Sequence, residues 1–274
     1  MKNKGYTLIE ILIAISIISI VLSSIVAMFT SSLQNSADMQ KKIAMQQNGR
    51  AALNFIANEI KMAGYSPTSN GGGITTAGLN DIRFTKDINN DGNFNGPNED
   101  IRFFFNSSPP NNPLSTNNRL MMSFIDESGV SDSAAVLDNV ESFRVLYAYD
   151  IEGLGSAGYG RLEANNSDDI KWTYDSDSDG ILDNYYTFSN NSINPGPNSD
   201  NLFNNQGAQL ELSRIRAVKL MILVRSNTKK NYGMQNNNKF NLPGDEGIES
   251  SGSLSNNFRY KMFSMNVKLR NLYF

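Results

Sequence analysis

From Leu8 to Phe29 the side chains are aliphatic, aromatic or small, and the only charge among them is Glu10. These 22 residues form, as a helix, a rod of about 33 Å, long enough to cross a bilayer's hydrocarbon core. Further on the apolar positions become periodic. Ile43, Ala52, Leu53, Ile56 and Ile60 recur at helical intervals, while Gln46, Gln47, Arg50, Asn54 and Lys61 fall off that face. No proline occurs before Pro67, so one helix of about 55–58 residues is predicted from near Thr7. Gly49 costs about 1 kcal/mol relative to alanine there and marks a place for a local bend. Gly64 supplies a C-terminal cap.

After this helix the period changes to two. Ile82 and Phe84 alternate with polar neighbours, as do Ile101, Phe103 and Phe105. Phe143, Val145, Tyr147 and Tyr149 define another face; Val218, Leu220, Ile222 and Val224 a further one; Phe263, Met265, Val267 and Leu269 the last. Alternation of aromatic and β-branched residues predicts half-buried, mainly antiparallel strands. A sheet with one apolar face needs a cover, and the stripe on the Leu33–Met62 helix provides it. The expected class is therefore α+β. Asparagine, glycine and serine crowd residues 66–73, 87–98, 106–118, 189–207 and 235–257, which predicts long loops.

The whole chain has 274 residues, with 24 basic against 27 acidic side chains and neither cysteine nor histidine. That balance excludes a nucleic-acid binder driven by phosphate neutralisation. The missing residue types exclude disulfides, Cys or His nucleophiles, the Ser-His-Asp triad and His/Cys zinc sites. About 240 residues follow the apolar tract, enough for one large or two small domains with a core.

The N-terminal run Met-Lys-Asn-Lys-Gly-Tyr-Thr-Leu-Ile-Glu enters the apolar tract directly. A short basic leader, Gly5, an aromatic, Thr7-Leu8-Ile9 and the single carboxylate Glu10 resemble the prepilin signal of type IV pilins and type II secretion pseudopilins. The resemblance implies cleavage after Gly5 by a membrane prepilin peptidase and N-methylation of the new terminus, Tyr6. It also implies that Glu10 meets the terminal amine of a neighbouring subunit during assembly. A charge well inside a membrane helix costs on the order of 3 kcal/mol, and an opposite charge offsets that cost only when the pair forms. Lys2 and Lys4 place the leader in the cytoplasm by the positive-inside rule. Residues beyond about position 30 then face the periplasm or the exterior.

Two further stretches, Gln47 to Leu53 and Glu59 to Tyr65, resemble PilW-type minor pilins, as do Ile215 to Ser226 and Val267 to Asn271. The layout implied is a leader at 1–5, an assembly and membrane half-helix at 6–30, an amphipathic half at 31–65 and a β-rich domain at 66–274. The resemblance implies a pilin-like fold and a minor pilin in pilus assembly, initiation or the tip complex. Its implied partners are other minor pilins, the major pilin, the prepilin peptidase and the inner-membrane assembly platform. The implied location is the inner membrane, single-pass, then the pilus or cell surface. A J-type pseudopilin of a type II secretion system shares the layout and is one alternative. A membrane-tethered calcium-binding adhesive module outside any filament is another.

Two loops carry metal-like spacing. Asp175, Asp177, Asp179 and Asp183 stand at positions 1, 3, 5 and 9 of a loop with Gly180 at position 6. Calcium takes six to eight oxygen ligands in a flexible cage, and this spacing suits it. Position 12 is Tyr186, so the loop departs from an EF-hand. Asp87, Asn89 and Asp91 repeat the start of the pattern before Gly92, with Glu99 one place beyond position 12. Calcium is expected at 175–183 and is a candidate at 87–99. Gly153, Gly155 and Gly158 fit GxGxxG, but no apolar-periodic helix follows, so the run reads as a turn. Trp172 reads as a packing aromatic. No enzyme activity is expected.

Overall fold

The structure is a computed structural model. It describes residues 6–67, 72–106, 118–126, 128–149, 171–175, 182, 184–189, 192–195, 212, 215–226, 240–244, 247–250 and 258–269. The chain divides into two compact units, 1–44 and 45–274.

The long helix α1 runs unbroken over Leu8–Lys61, 54 residues. In the first unit every large apolar side chain from Leu8 to Phe29 is at least half exposed, as a membrane-spanning helix requires before it meets lipid. In the second unit α1 buries Met45, Gly49, Ala52, Leu53, Ile56, Ala57 and Ile60. This stripe is shorter than the one predicted. Ile43 is exposed, because at 100° per residue it stands about 160° around the helix from Met45. After Lys61 the chain closes with Ala63 N–H donating to Ile60 O at 3.0 Å. Gly64 then adopts φ 74°, the left-handed cap expected of it.

Thirteen strands follow in the described residues. Strands β1 (Ile74–Thr76), β2 (Asp81–Thr85), β3 (Asp100–Asn106), β4 (Arg119–Ile125) and β5 (Ser131–Asp138) form one antiparallel sheet in sequence order. The second sheet uses β6 (Val140–Tyr149), β7 (Lys171–Tyr174), β8 (Asn184–Ser189), β9 (Ser192–Pro195), β10 (Ile215–Arg225) and β13 (Tyr260–Lys268). Its order is β13-β10-β6-β7-β8-β9, with β10 pairing antiparallel to both β6 and β13. Strands β11 (Asn241–Gly244) and β12 (Gly247–Ser250) make a separate two-stranded pair. The five alternating faces predicted from sequence fall on β2, β3, β6, β10 and β13. Strands β9, β11 and β12 lie inside segments predicted as loops, 189–207 and 235–257.

The chain changes sheet at one residue. Asn139, between β5 and β6, has φ 58°, a conformation that asparagine tolerates better than most side chains. Its carbonyl accepts Arg225 N–H at 2.9 Å. The turn between β1 and β2 stitches the sheets together. Leu79 O accepts Val145 N–H at 2.8 Å and Ala77 O accepts Asp175 N–H at 3.0 Å, while Asn80 O accepts Phe105 N–H at 3.2 Å within the first sheet. The fully buried Tyr147 donates its hydroxyl to Gly78 O or Asp81 O, at 3.2 and 3.0 Å. Burial, more than the nearby Asp81 and Asp175 charges, pushes that phenol well above its usual range.

One core joins the α1 stripe to both sheets, with Ile56, Ile60, Phe84, Phe103, Phe143 and Leu220 fully buried. Each such side chain contributes about 1.5–3 kcal/mol relative to exposure. The second sheet is apolar on its far face too. There Met221 and Leu223 pack with Leu242, Phe258 and Tyr260. Gly49 has a packing role: a Cβ on it would lie 2.5 Å from Phe263 Cε2. Glycine therefore sets the close approach of α1 to β13.

Candidate functional site

The start of α1 is built by two residues. Thr7 N–H and Thr7 Oγ1–H both donate to Glu10 Oε2, at 2.8 and 2.9 Å. Glu10 N–H is directed at Thr7 Oγ1, at 3.4 Å. This is a capping box: the side chain of the residue before the helix and the glutamate three positions later satisfy each other's amides. The T-x-x-E spacing stands in the sequence, where it overlaps the processing signal. Tyr6 is 86% exposed; Gly5 lies outside the described residues.

Along the apolar half of α1 the hydroxyls turn inward to the backbone. Ser16 donates to Leu12 O at 2.8 Å, Ser19 to Ile15 O at 2.8 Å, Ser23 to Ser19 O at 2.7 Å and Ser24 to Ile20 O at 2.9 Å. Thr30 donates to Val26 O at 3.0 Å or Ala27 O at 2.9 Å. Each hydroxyl thus enters an apolar medium already bonded, which removes most of its cost there. The helix is long and apolar enough to cross a membrane. A carboxylate at its entrance, already held by Thr7, meets the start of the span with part of its hydrogen bonding in place.

The second candidate is the Asp/Asn loop between β2 and β3, which is docked on the end of α1. Lys86 Nζ donates to Glu59 Oε2 at 2.7 Å, with the lysine side chain only 7% exposed. Gly64 N–H donates to Thr85 O at 2.9 Å and Asp87 N–H to Tyr65 O at 2.7 Å. Asp87 is fully buried, and its Oδ2 accepts Gly92 N–H at 3.1 Å and Ser66 Oγ–H at 3.3 Å. Gly92 has φ 79°, which only glycine adopts without strain. Asn89 Oδ1 accepts Asp91 N–H at 2.8 Å, and both of these residues are exposed.

Glu99 is 1% exposed. Its Oε1 accepts Ile88 N–H at 3.0 Å and Asn89 N–H at 3.2 Å, and its Oε2 accepts Gly96 N–H at 2.8 Å. The carboxylate therefore has an occupation of its own: it holds the loop's main chain. The donor set is all oxygen and suits a hard divalent cation. Among the described residues, however, no three acidic side chains converge as a metal cage. In the other loop Asp175 is buried, whereas Asp177, Asp179 and Asp183 lie outside the described residues, as do Gly153, Gly155 and Gly158. Trp172 is buried in the core, with the Lys219 ammonium 5.1 Å from its ring centroid.

Residues 106–271 match the family of type IV pilus-assembly protein W, PilW. Residues 1–26 match the prokaryotic N-terminal methylation motif. A type IV-like pilin from Thermus thermophilus is similar over 83% of this chain and 97% of its own, at 12% identity and a TM-score of 0.38, a distance at which the likeness carries no argument. No curated protein matches the chain. The methylation motif falls on the Thr7–Glu10 box and the apolar half of α1, and the PilW match runs from the end of β3 through β13. The chain belongs to the PilW family and is a minor pilin of the type IV pilus, membrane-anchored by its N-terminal helix.

Proposed function

We propose that this minor pilin acts in pilus initiation or at the tip, after cleavage behind Gly5 and N-methylation of Tyr6. The observation that carries the reading is the Thr7–Glu10 capping box at the head of the exposed apolar half of α1. In the free subunit Thr7 shares the carboxylate's load. When a neighbouring subunit brings its positive terminal amine close, the exchange gains a charge-charge attraction in a medium of low dielectric constant. That attraction rewards correct register and is absent from a helix lacking the carboxylate. The partners in this reading are other minor pilins, the major pilin, the prepilin peptidase and the inner-membrane assembly platform. The β-rich unit faces the periplasm, and the role is structural rather than enzymatic.

Mass spectrometry of the mature chain tests the processing step: the first residue should be N-methylated Tyr6. An intact Met1, or a cut beyond the apolar tract, would overturn it. Glu10→Ala should insert and be cleaved normally yet fail to support filament initiation as the only copy. Recovery of the protein with secretion-system components rather than pili would favour the J-type pseudopilin.

Calcium at the two acidic loops belongs to the same proposal. Asp87 on the Gly92 amide and the left-handed turn at Gly92 support it at 87–99; the spacing of Asp175, Asp177, Asp179 and Asp183 supports it at 175–183. Asp87, Asn89 and Asp91 would supply oxygen ligands, with Glu99 joining them only by giving up the main-chain amides it holds, and the ion would neutralise their mutual repulsion. Millimolar calcium should then raise the melting temperature of the full chain, with magnesium a poor substitute. Indifference to calcium would remove this part.

A further inference from the structure

Gly96 N–H points at Glu99 Oε2 from 2.8 Å, and the residue before it is the exposed Asn95. An asparagine followed by glycine can cyclise: the glycine nitrogen attacks the asparagine side-chain carbonyl. The attack needs a base to take the nitrogen's proton. Here a carboxylate is already within the 2.6–3.2 Å reach required of a general base. It is held there by Ile88 and Asn89 N–H on its other oxygen. Glycine is also a geometric necessity, since a Cβ at position 96 would lie 2.5 Å from Glu99 Oε2. Any other residue would push the carboxylate off the nitrogen.

We propose that Asn95 is a site of self-catalysed deamidation, with Gly96 N as nucleophile and Glu99 as the catalytic base. The Gly96 nitrogen passes its proton to Glu99 and bonds to Asn95 Cγ. The side-chain nitrogen takes a proton back and leaves as ammonia, closing a five-membered imide. Water then adds to one of the two imide carbonyls and opens the ring to an aspartyl or isoaspartyl residue. Water is consumed and ammonia released, with no change of oxidation state. The product adds one negative charge to a loop that already holds Asp87, Asp91 and Glu99. The isoaspartyl form also inserts a methylene into the main chain and breaks the register of Gly96 with Glu99.

The same dipeptide at Asn48-Gly49 is an internal control. It lies within α1 with Gly49 packed under Phe263, so it should stay intact. The full chain in detergent is incubated in neutral buffer made with heavy-oxygen water and mapped by peptide mass spectrometry. Heavy oxygen should enter position 95, and faster in the folded chain than in the same chain unfolded in urea. Glu99→Gln, which keeps the side chain's shape, should slow the folded rate at least about tenfold, the low side of general-base contributions. A folded rate at or below the unfolded rate overturns the proposal without recourse to any variant. So does a Glu99→Gln chain that folds and reacts as fast as the parent.

Discussion

Gly49→Ala sets two known magnitudes against each other inside α1. Helix propensity alone favours alanine by about 1 kcal/mol. Against that, the new methyl would lie 2.5 Å from Cε2 of Phe263 and 2.9 Å from Cδ2 and Cζ. A ring has no flexible end to swing away, and Phe263 is 8% exposed on a strand whose main chain is paired to β10 opposite Ile222. Overpacking of this kind costs about 1–3 kcal/mol, so the clash should win by up to about 2 kcal/mol. Urea unfolding of the full chain in detergent, followed through the single tryptophan, Trp172, should show a lower midpoint with an unchanged slope. Phe263→Leu supplies the control. If the clash is the cause, the double variant should recover about 1 kcal/mol relative to additive losses. A Gly49→Ala chain as stable as the parent, or more stable, would refute the close-approach reading and show that helix propensity outweighs the clash.

Three smaller changes probe the rest of the second unit. Thr173 is fully buried, and its hydroxyl oxygen has no hydrogen-bond partner among the described residues; Thr173→Val keeps the branched shape and should stabilise by about 1 kcal/mol, and a loss in the urea midpoint would show that the hydroxyl is bonded. Glu59→Gln strands the buried Lys86 ammonium and should cost about 2 kcal/mol, below the fully buried range because Glu59 is partly exposed; a change under about 0.5 kcal/mol would mean that water already serves the lysine. Burial raises the Glu141 carboxyl above its usual range, more than the Arg225 guanidinium at 4.0 Å lowers it. A raised acid contributes stability while protonated and loses that contribution as pH rises through its folded-state pKa, so Glu141→Gln should gain on the parent as pH climbs from the ordinary glutamate range in a urea series, and a pH-independent difference would remove the assignment.

What the sequence made legible divides along a physical line. Period-two faces were readable on β2 and β3 because the sheet buries one side of each, leaving Arg83 and Arg102 to water and to their partners Asp100 and Asp81. On β6 the reading found Phe143, Val145 and Tyr147 but not Leu146 and Ala148, which are fully buried on the other face. On β10 the same reading found Val218, Leu220 and Ile222 but not the opposite face. Met221 and Leu223 are buried as well, and a strand covered on both sides has no alternation to detect. Their cover, from β11 and the segment around Phe258, arises in a segment whose asparagines and serines signal loop. Strand β5 hid for the reverse reason: Ser131 to Ala135 are exposed, so the core imposes no pattern on them. The helix stripe was placed correctly from Ala52 to Ile60 yet extended too far back to Ile43, since an apolar residue beside a membrane segment need not face a domain.

The sites follow the same division. The Thr7–Glu10 box has a local T-x-x-E spacing that stands in the sequence, yet the reading there gave Glu10 only its assembly role, and the hydrogen bonds that close the box came from the structure. The roles of Glu59 toward Lys86, Gly49 toward Phe263 and Glu99 toward Gly96 were not read from sequence either. The first two join residues 27 and 214 positions apart, and no local rule spans such distances. Glu99 is the instructive case, because its partner is only three residues away. Spacing rules assign a carboxylate at that point of an Asp/Asn loop to a cation. The fold gives both its oxygens to main-chain amides first, and any ion would have to compete with three hydrogen bonds already made.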